Sequence, residues 1–244
     1  MKGIIISGVS EKWANPYGKI IPKQLLPVYD KPMIFYPIET LLKAGINEIL
    51  VITTSKHQHL FKAILSDYSD VKFQFACQDT PNGIAEAISI GKDFIGGDNV
   101  CLVTGDTIID GEPFMVQLKT AIKAADVSAN ATIFVADNHE DDQYGIVTYN
   151  HSTKEKQIEG KSDTSYFYSI TGLYVFPNRV VKKIENIKPS ERGLLEITAV
   201  HKLFHEDEKL RIQKLDKECC WFAPSNFEDL IKVNNYFYKN NKNK

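Results

Sequence analysis

The chain has 244 residues, 43% of them hydrophobic and 25% charged, enough to bury a full core as one large domain or one domain with a small appendage. Its 29 basic and 31 acidic residues leave a formal net charge of -2, which gives no electrostatic footprint for nucleic acid or an anionic membrane as partner. The apolar run Gly3 to Ser7 is too short for a signal-peptide core and is punctuated by Gly8, so it reads as a buried strand in a cytoplasmic protein. Cys77, Cys101, Cys219 and Cys220 lack the spacing of a zinc site or a disulfide framework and read as reduced core thiols.

Along the first half, apolar runs bounded by turn residues recur at Ile4 to Ser7, Ile49 to Thr53, Phe73 to Cys77 and Val100 to Val103. Helix-period segments alternate with them at Pro32 to Ala44, Gly83 to Phe94 and Glu112 to Ala125. Near-continuous apolar strands separated by helices imply an α/β fold, Rossmann-like, with a mostly parallel mixed sheet covered on both faces. Ligands of such sheets bind beyond the carboxyl ends of the strands, which directs attention to Gly8 to Lys23, Gln78 to Asn82 and Gly105 to Gly111. After about residue 130 the texture becomes β-rich at Ala131 to Ala136, Ile146 to Tyr149 and Tyr168 to Phe176, with helix-like segments at Leu194 to His205 and Asn226 to Tyr238. The expectation is a single domain over 1–238, in which a first half, 1–130, is followed by a second half, 131–238, whose strands join the same sheet and which adds a small mixed α/β lid over its end. The polar ending 239–244 reads as a frayed tail.

The block Lys23-Gln24-Leu25-Leu26-Pro27-Val28-Tyr29-Asp30-Lys31-Pro32-Met33-Ile34 resembles the glucose-1-phosphate thymidylyltransferases, sugar nucleotidyltransferases that join a nucleoside triphosphate to a sugar 1-phosphate and release pyrophosphate. Gln78 with Pro81 and Gly83, Gly105-Asp106, Tyr144-Gly145, Thr171-Gly172-Leu173-Tyr174, Arg192-Gly193, Glu196-Ile197-Thr198 and Trp221 agree in order and separation. The resemblance runs from residue 2 to about residue 235. It implies the nucleotidyltransferase fold, glycosyltransferase-A-like, with magnesium as cofactor where the enzyme is active, a nucleotide or sugar nucleotide as ligand, and a homo-oligomer.

The reaction implied is in-line attack of a sugar phosphate oxygen on the α-phosphorus, catalysed by positioning and by neutralising crowded charge. By the resemblance, Lys23, Lys161 and Arg192 face phosphates as catalytic groups. Gly8, Gln24, Gln78, Gly83 and Asp106 hold the nucleotide, and Tyr144, Gly145, Glu159 and Thr171 hold the sugar. Asp106 is the first magnesium carboxylate. Some have a plainer alternative: Asp106 as a strand-end turn aspartate, Lys23 as a solvated charge, Tyr144-Gly145 as a strand start and Thr171-Gly172 as a close-packed strand.

Other positions depart from the pattern. Where the family loop reads G-G-x-G-T-R-L, this chain has Gly8-Val9-Ser10-Glu11-Lys12-Trp13-Ala14, so Val9 and Glu11 bring side chains to the phosphate path and Trp13 stands at the arginine position. A unit charge such as that of Glu11 about 5 Å from a phosphate charge costs roughly 3 kcal/mol at an effective dielectric near 20. Lys12 and Lys19 compensate in charge but lack a planar bidentate grip. Gly160 and Leu194 replace acidic residues of the sugar side, and Ala223 stands two residues after Trp221, where the second magnesium carboxylate belongs.

These losses gather at the site while scaffold fragments remain. The balance favours a folded, catalytically impaired relative that binds a nucleotide or sugar nucleotide, or assembles with a catalytic homologue. The alternatives are an active enzyme making a dTDP- or UDP-sugar, and a structural interaction module. Among weaker signals, His201 and His205, before Glu206-Asp207-Glu208, suggest a metal pair without a third ligand. His57 and His59 read as a polar helix start, and Cys219-Cys220 beside Trp221 as core packing. Tyr166, Phe167 and Tyr168 lack the basic stripe of a stacking platform.

Overall fold

The computed structural model describes residues 1–8, 17–137, 146–149, 156–159 and 167–241, and of 146–149, 156–159 and 167 the backbone only. The chain opens with β1 (Lys2–Ile6), passes two 3₁₀ turns at Tyr17–Lys19 and Lys23–Leu25, and forms a short hairpin of β2 (Pro27–Val28) and β3 (Lys31–Pro32). There follow α1 (Phe35–Lys43), β4 (Glu48–Thr53), α2 (Gln58–Ile64), β5 (Lys72–Cys77), α3 (Glu86–Ile90), α4 (Lys92–Ile95) and β6 (Val100–Thr104). The second half runs β7 (Ile108–Asp110), α5 (Glu112–Ser128), β8 (Ala131–Asp137), β9 (Ile146–Tyr149), β10 (Lys156–Glu159), β11 (Phe167–Phe176), α6 (Val180–Ile184), α7 (Ile197–Glu206), β12 (Leu210–Lys214), β13 (Cys220–Phe222) and α8 (Phe227–Asn241).

Among the described residues, nine strands form one mixed sheet. β5, β4, β1 and β6 lie side by side and parallel, with Ile5 opposite both Val51 and Val103. Both faces of β1, β4 and β6 are covered, so no polar alternation is required of them, and Ile4, Ile5, Ile49, Val51 and Val103 are all fully buried, whereas β5 at the sheet edge leaves Lys72, Gln74 and Cys77 exposed. The two-residue period sends Ile4 and Ile6 to the side of α3 and α7, where Ile88, Val200 and Phe204 pack. It sends Ile5 to the side of α1 and α5, against Ile38, Leu41, Phe114 and Leu118.

β11 runs antiparallel beside β6 and carries the sheet into the second half, where β8 pairs with it and β12 lies parallel to β8. The register of β11 on β8 shifts between Ile170 and Tyr174, a bulge centred on Gly172 at φ 85°. A separate pair of short strands, β13 on β7, together with α8, closes a third cluster around Val28, Met33, Ile108, Val233 and Phe237.

Several expectations shift in detail. The helix expected over Gly83 to Phe94 begins only at Glu86 and is broken at Gly91. All four cysteines lie among the described residues and are free; Cys101 is buried, with its thiol pushed up to about 12 by desolvation, whereas Cys77 is exposed and is not a core thiol. His201 is fully buried on α7, its ring 5.2 Å from that of Tyr174, while His205 is exposed, so the two do not act as a pair. No helix among the described residues is long and apolar enough to cross a membrane.

Candidate functional site

Because β1, β4, β5 and β6 are parallel, Ile6, Thr53, Cys77 and Thr104 finish at one edge of the sheet. The chain leaving these four ends and the Lys23–Leu25 turn enclose a cavity of about 880 Å³. Gly8, Lys23, Gln24, Gln78, Gly83 and Asp106 all line it, so six positions spread over 99 residues of sequence meet around one space.

Gln78 follows β5 directly. Its Nε2 donates to Gly83 O at 3.1 Å and to Glu86 Oε2 at 2.5 Å; two acceptors fix that end of the amide as the NH₂ group. The amide oxygen therefore faces the other way, 3.7 Å from where a Cβ on Gly8 would stand. Glu86 Oε1 in turn accepts from Asn82 Nδ2 at 2.9 Å. Gly83 has φ 104°, and a Cβ there would sit 2.3 Å from Leu195 O, so only glycine allows the loop after β5 to zip onto the segment before α7. That zip consists of Leu195 N donating to Asn82 O at 2.6 Å and Ala85 N donating to Leu195 O at 3.2 Å.

Gln24 is 3% exposed, and its Nε2 reaches Gly8 O only at 3.5 Å. Its Oε1 has no hydrogen-bond partner, nor does the neighbouring buried Ser7 Oγ. An unpaired buried acceptor costs about 1–3 kcal/mol, a penalty that a ligand donor entering the cavity would relieve.

Lys23 forms an ion pair with Asp106 Oδ2, and its Nζ also donates to Pro224 O at 3.1 Å. Burial pushes the Asp106 carboxyl up, but the Lys23 ammonium, with hydrogen bonds from Thr104 and the Asp106 backbone N–H, outweighs it and holds the group below the usual carboxylate range. Magnesium is held by oxygen ligands, typically one or two carboxylates with phosphate oxygens and water. The donor set here does not suit it: Asp106 is engaged by an ammonium, Ala223 offers a methyl group, and among the described residues no group of three His, Cys, Asp or Glu side chains could hold a metal ion.

Four further residues line the same cavity: Thr54, Lys56 and His57, which the sequence did not assign to the site, and Asp79, within the Gln78 to Asn82 segment. Three leave the end of β4, a strand end the sequence reading did not single out. Lys56 Nζ donates to Lys19 O at 3.0 Å, tying the Tyr17–Lys19 turn to the rim. His57 stands just before α2, with Nδ1 2.9 Å from Thr54 Oγ1. Asp79 Oδ1 accepts from Ser55 N at 2.7 Å, and that contact holds its carboxyl below the usual range.

Other expected site residues stand elsewhere. Thr171 is 1% exposed and its hydroxyl donates to Phe134 O at 3.1 Å, so the side chain is committed to the sheet interior instead of to a sugar. Its carbonyl accepts from Thr107 Oγ1 at 2.7 Å and from Trp221 Nε1 at 3.0 Å. Arg192 is exposed and pairs with Glu196 Oε1 at 2.8 Å, four residues on in the segment before α7, and does not line the cavity. Leu194 and Ala223 also lie outside its lining. Val9, Glu11, Trp13, Tyr144, Gly145, Gly160 and Lys161, and the side chain of Glu159, lie outside the described residues.

Residues 2–240, nearly the whole chain, match the nucleotidyl transferase family. The chain belongs to that family. As a nucleotidyl transferase it is 41% identical to the glucose-1-phosphate thymidylyltransferase of Neisseria meningitidis, over 94% of this chain and 80% of the relative. It is 36% identical to that of Xanthomonas campestris, over 96% and 80%. A UDP-glucose pyrophosphorylase complexed with UDP-glucose superposes with a TM-score of 0.83 over 98% of both chains at 18% identity, a likeness of fold.

Proposed function

We propose that this nucleotidyl transferase holds a pyrimidine nucleotide or sugar nucleotide in the cavity and is catalytically impaired, acting as one unit over 1–238 in a homo-oligomer or beside a catalytic homologue. The contrast between two sets of groups carries the reading. The fixed Gln78 amide and the orphaned Gln24 Oε1 offer acceptors matched to the N–H groups of a base or the hydroxyls of a sugar. Asp106, by contrast, has a lysine on its carboxylate, and position 223, outside the lining, is an alanine. Removing one preorganised charge-stabilising group costs about 10²- to 10³-fold in rate, so loss of the second carboxylate together with the loop arginine leaves little turnover.

The test is pyrophosphate release from dTTP and UTP with glucose 1-phosphate, run beside calorimetric binding of each nucleotide. Binding without turnover is the expected result; turnover above about 1 s⁻¹ overturns it. The second reading, an active enzyme making a dTDP- or UDP-sugar, is favoured by the 41% identity to a thymidylyltransferase across 94% of the chain, and needs Glu11, Glu159 or another acid to serve the metal.

A further inference from the structure

The Lys23 ammonium touches two segments at once. Asp106 lies two residues beyond β6 and Pro224 two residues beyond β13, and Lys23 Nζ bonds the carboxylate of the first and the carbonyl of the second. Position 223, the methyl-bearing neighbour of that carbonyl, is where the resemblance puts a second metal carboxylate. Both charged side chains are mostly buried, Lys23 at 19% and Asp106 at 18% exposure, and both line the cavity. An ammonium has three N–H donors; two are used here, which leaves one for an anion in the cavity.

We propose that the Lys23 ammonium is the built-in cation of this site, standing between Asp106 and the 223–224 turn in place of a divalent ion, so that nucleotide phosphates bind without any metal. The inference rests on the nucleotide-binding reading above. The donor chemistry supports it. A dication is stable where two carboxylates balance it, whereas a single carboxylate is balanced by a single ammonium. Lys56, which also lines the cavity, adds a second cation for the phosphate chain. A covalently tethered monocation holds phosphate but cannot travel with the leaving pyrophosphate, which suits a binding site better than a catalytic one.

The experiment is calorimetric titration with dTTP in excess EDTA and in excess magnesium, with electron paramagnetic resonance of manganese added to the protein alone. The expected result is a Kd in EDTA within about threefold of that in magnesium, and no manganese bound to the wild-type protein. Lys23→Met should lose at least about tenfold in EDTA, and Ala223→Asp should make binding metal-dependent and create a manganese signal. Thermal unfolding checks that Lys23→Met folds; should it fail to, Ala223→Asp, which leaves Lys23 in place, decides alone. Binding that disappears in EDTA overturns the inference and leaves the nucleotide-binding reading standing. No binding under either condition overturns both.

Discussion

Glu86 Oε2 stands 2.5 Å from Gln78 Nε2 while Glu86 Oε1 takes Asn82 Nδ2 at 2.9 Å, so one carboxylate at the start of α3 fixes the amide that faces the cavity. With its NH₂ end committed, Gln78 presents only an oxygen, which accepts from the N3–H of uracil or thymine. Cytosine has an acceptor at N3 and offers nothing there. Glu86→Ala releases the amide to rotate. The expected outcome is a loss of about 1 kcal/mol, a five- to tenfold rise in the Kd of UTP, and a smaller preference for UTP over CTP, both read by calorimetry.

Lys56 ties the Tyr17–Lys19 turn to the rim through Lys19 O and adds positive charge to the cavity lining. Lys56→Ala should weaken dTTP binding about threefold and flatten its dependence on salt, because an exposed charge acts mainly through screened attraction. Titration at two ionic strengths measures both effects.

Gly172 ties the fold to the site. A Cβ there would lie 2.6 Å from both Thr104 Oγ1 and Thr107 Oγ1, and its φ of 85° disfavours any side chain. Gly172→Ala must part the Thr104–Thr107 hydrogen bond of 2.7 Å and the Thr107 bond to Thr171 O, and Thr104 also supports Asp106. Backbone strain and broken buried bonds together should cost about 3 kcal/mol, a fall in Tm of about 10 °C by calorimetry, with weaker dTTP binding as well.

The central strands were legible because burial on both faces leaves an unbroken apolar signature, as in Ile49 to Thr53. Gly8, Gln78 and Asp106 were legible as places because each follows such a strand. Glu86 was not: a glutamate opening an amphipathic helix looks like an ordinary first-turn acid, and only the fold turns it toward Gln78. Lys56 and His57 were hidden in the same way, by the ordinary look of a short polar link into α2. β7 and β13, three residues each, carry too few positions for a period to show. Arg192 looked like a phosphate ligand from its motif, yet four residues on Glu196 offers a nearer carboxylate.

His201 supplies a pH test remote from the cavity. Its ring is 0% exposed, stacked at 6.1 Å on Phe176, and neither ring nitrogen has a hydrogen-bond partner, so burial pushes its pKa down from 6.5 to about 3. Between those two values the unfolded chain binds a proton that the folded chain refuses. Stability from this residue is therefore complete above about pH 6.5 and falls as the pH drops toward 3. Going from pH 7 to pH 5 should cost the wild type about 2 kcal/mol that His201→Phe does not lose. Asp106, whose carboxyl is held low, gives up its contribution only below its ordinary value of 3.8, outside this window. Urea unfolding of both proteins at the two pH values measures the difference. Parallel losses in wild type and His201→Phe would show that the ring reaches a proton in the folded state.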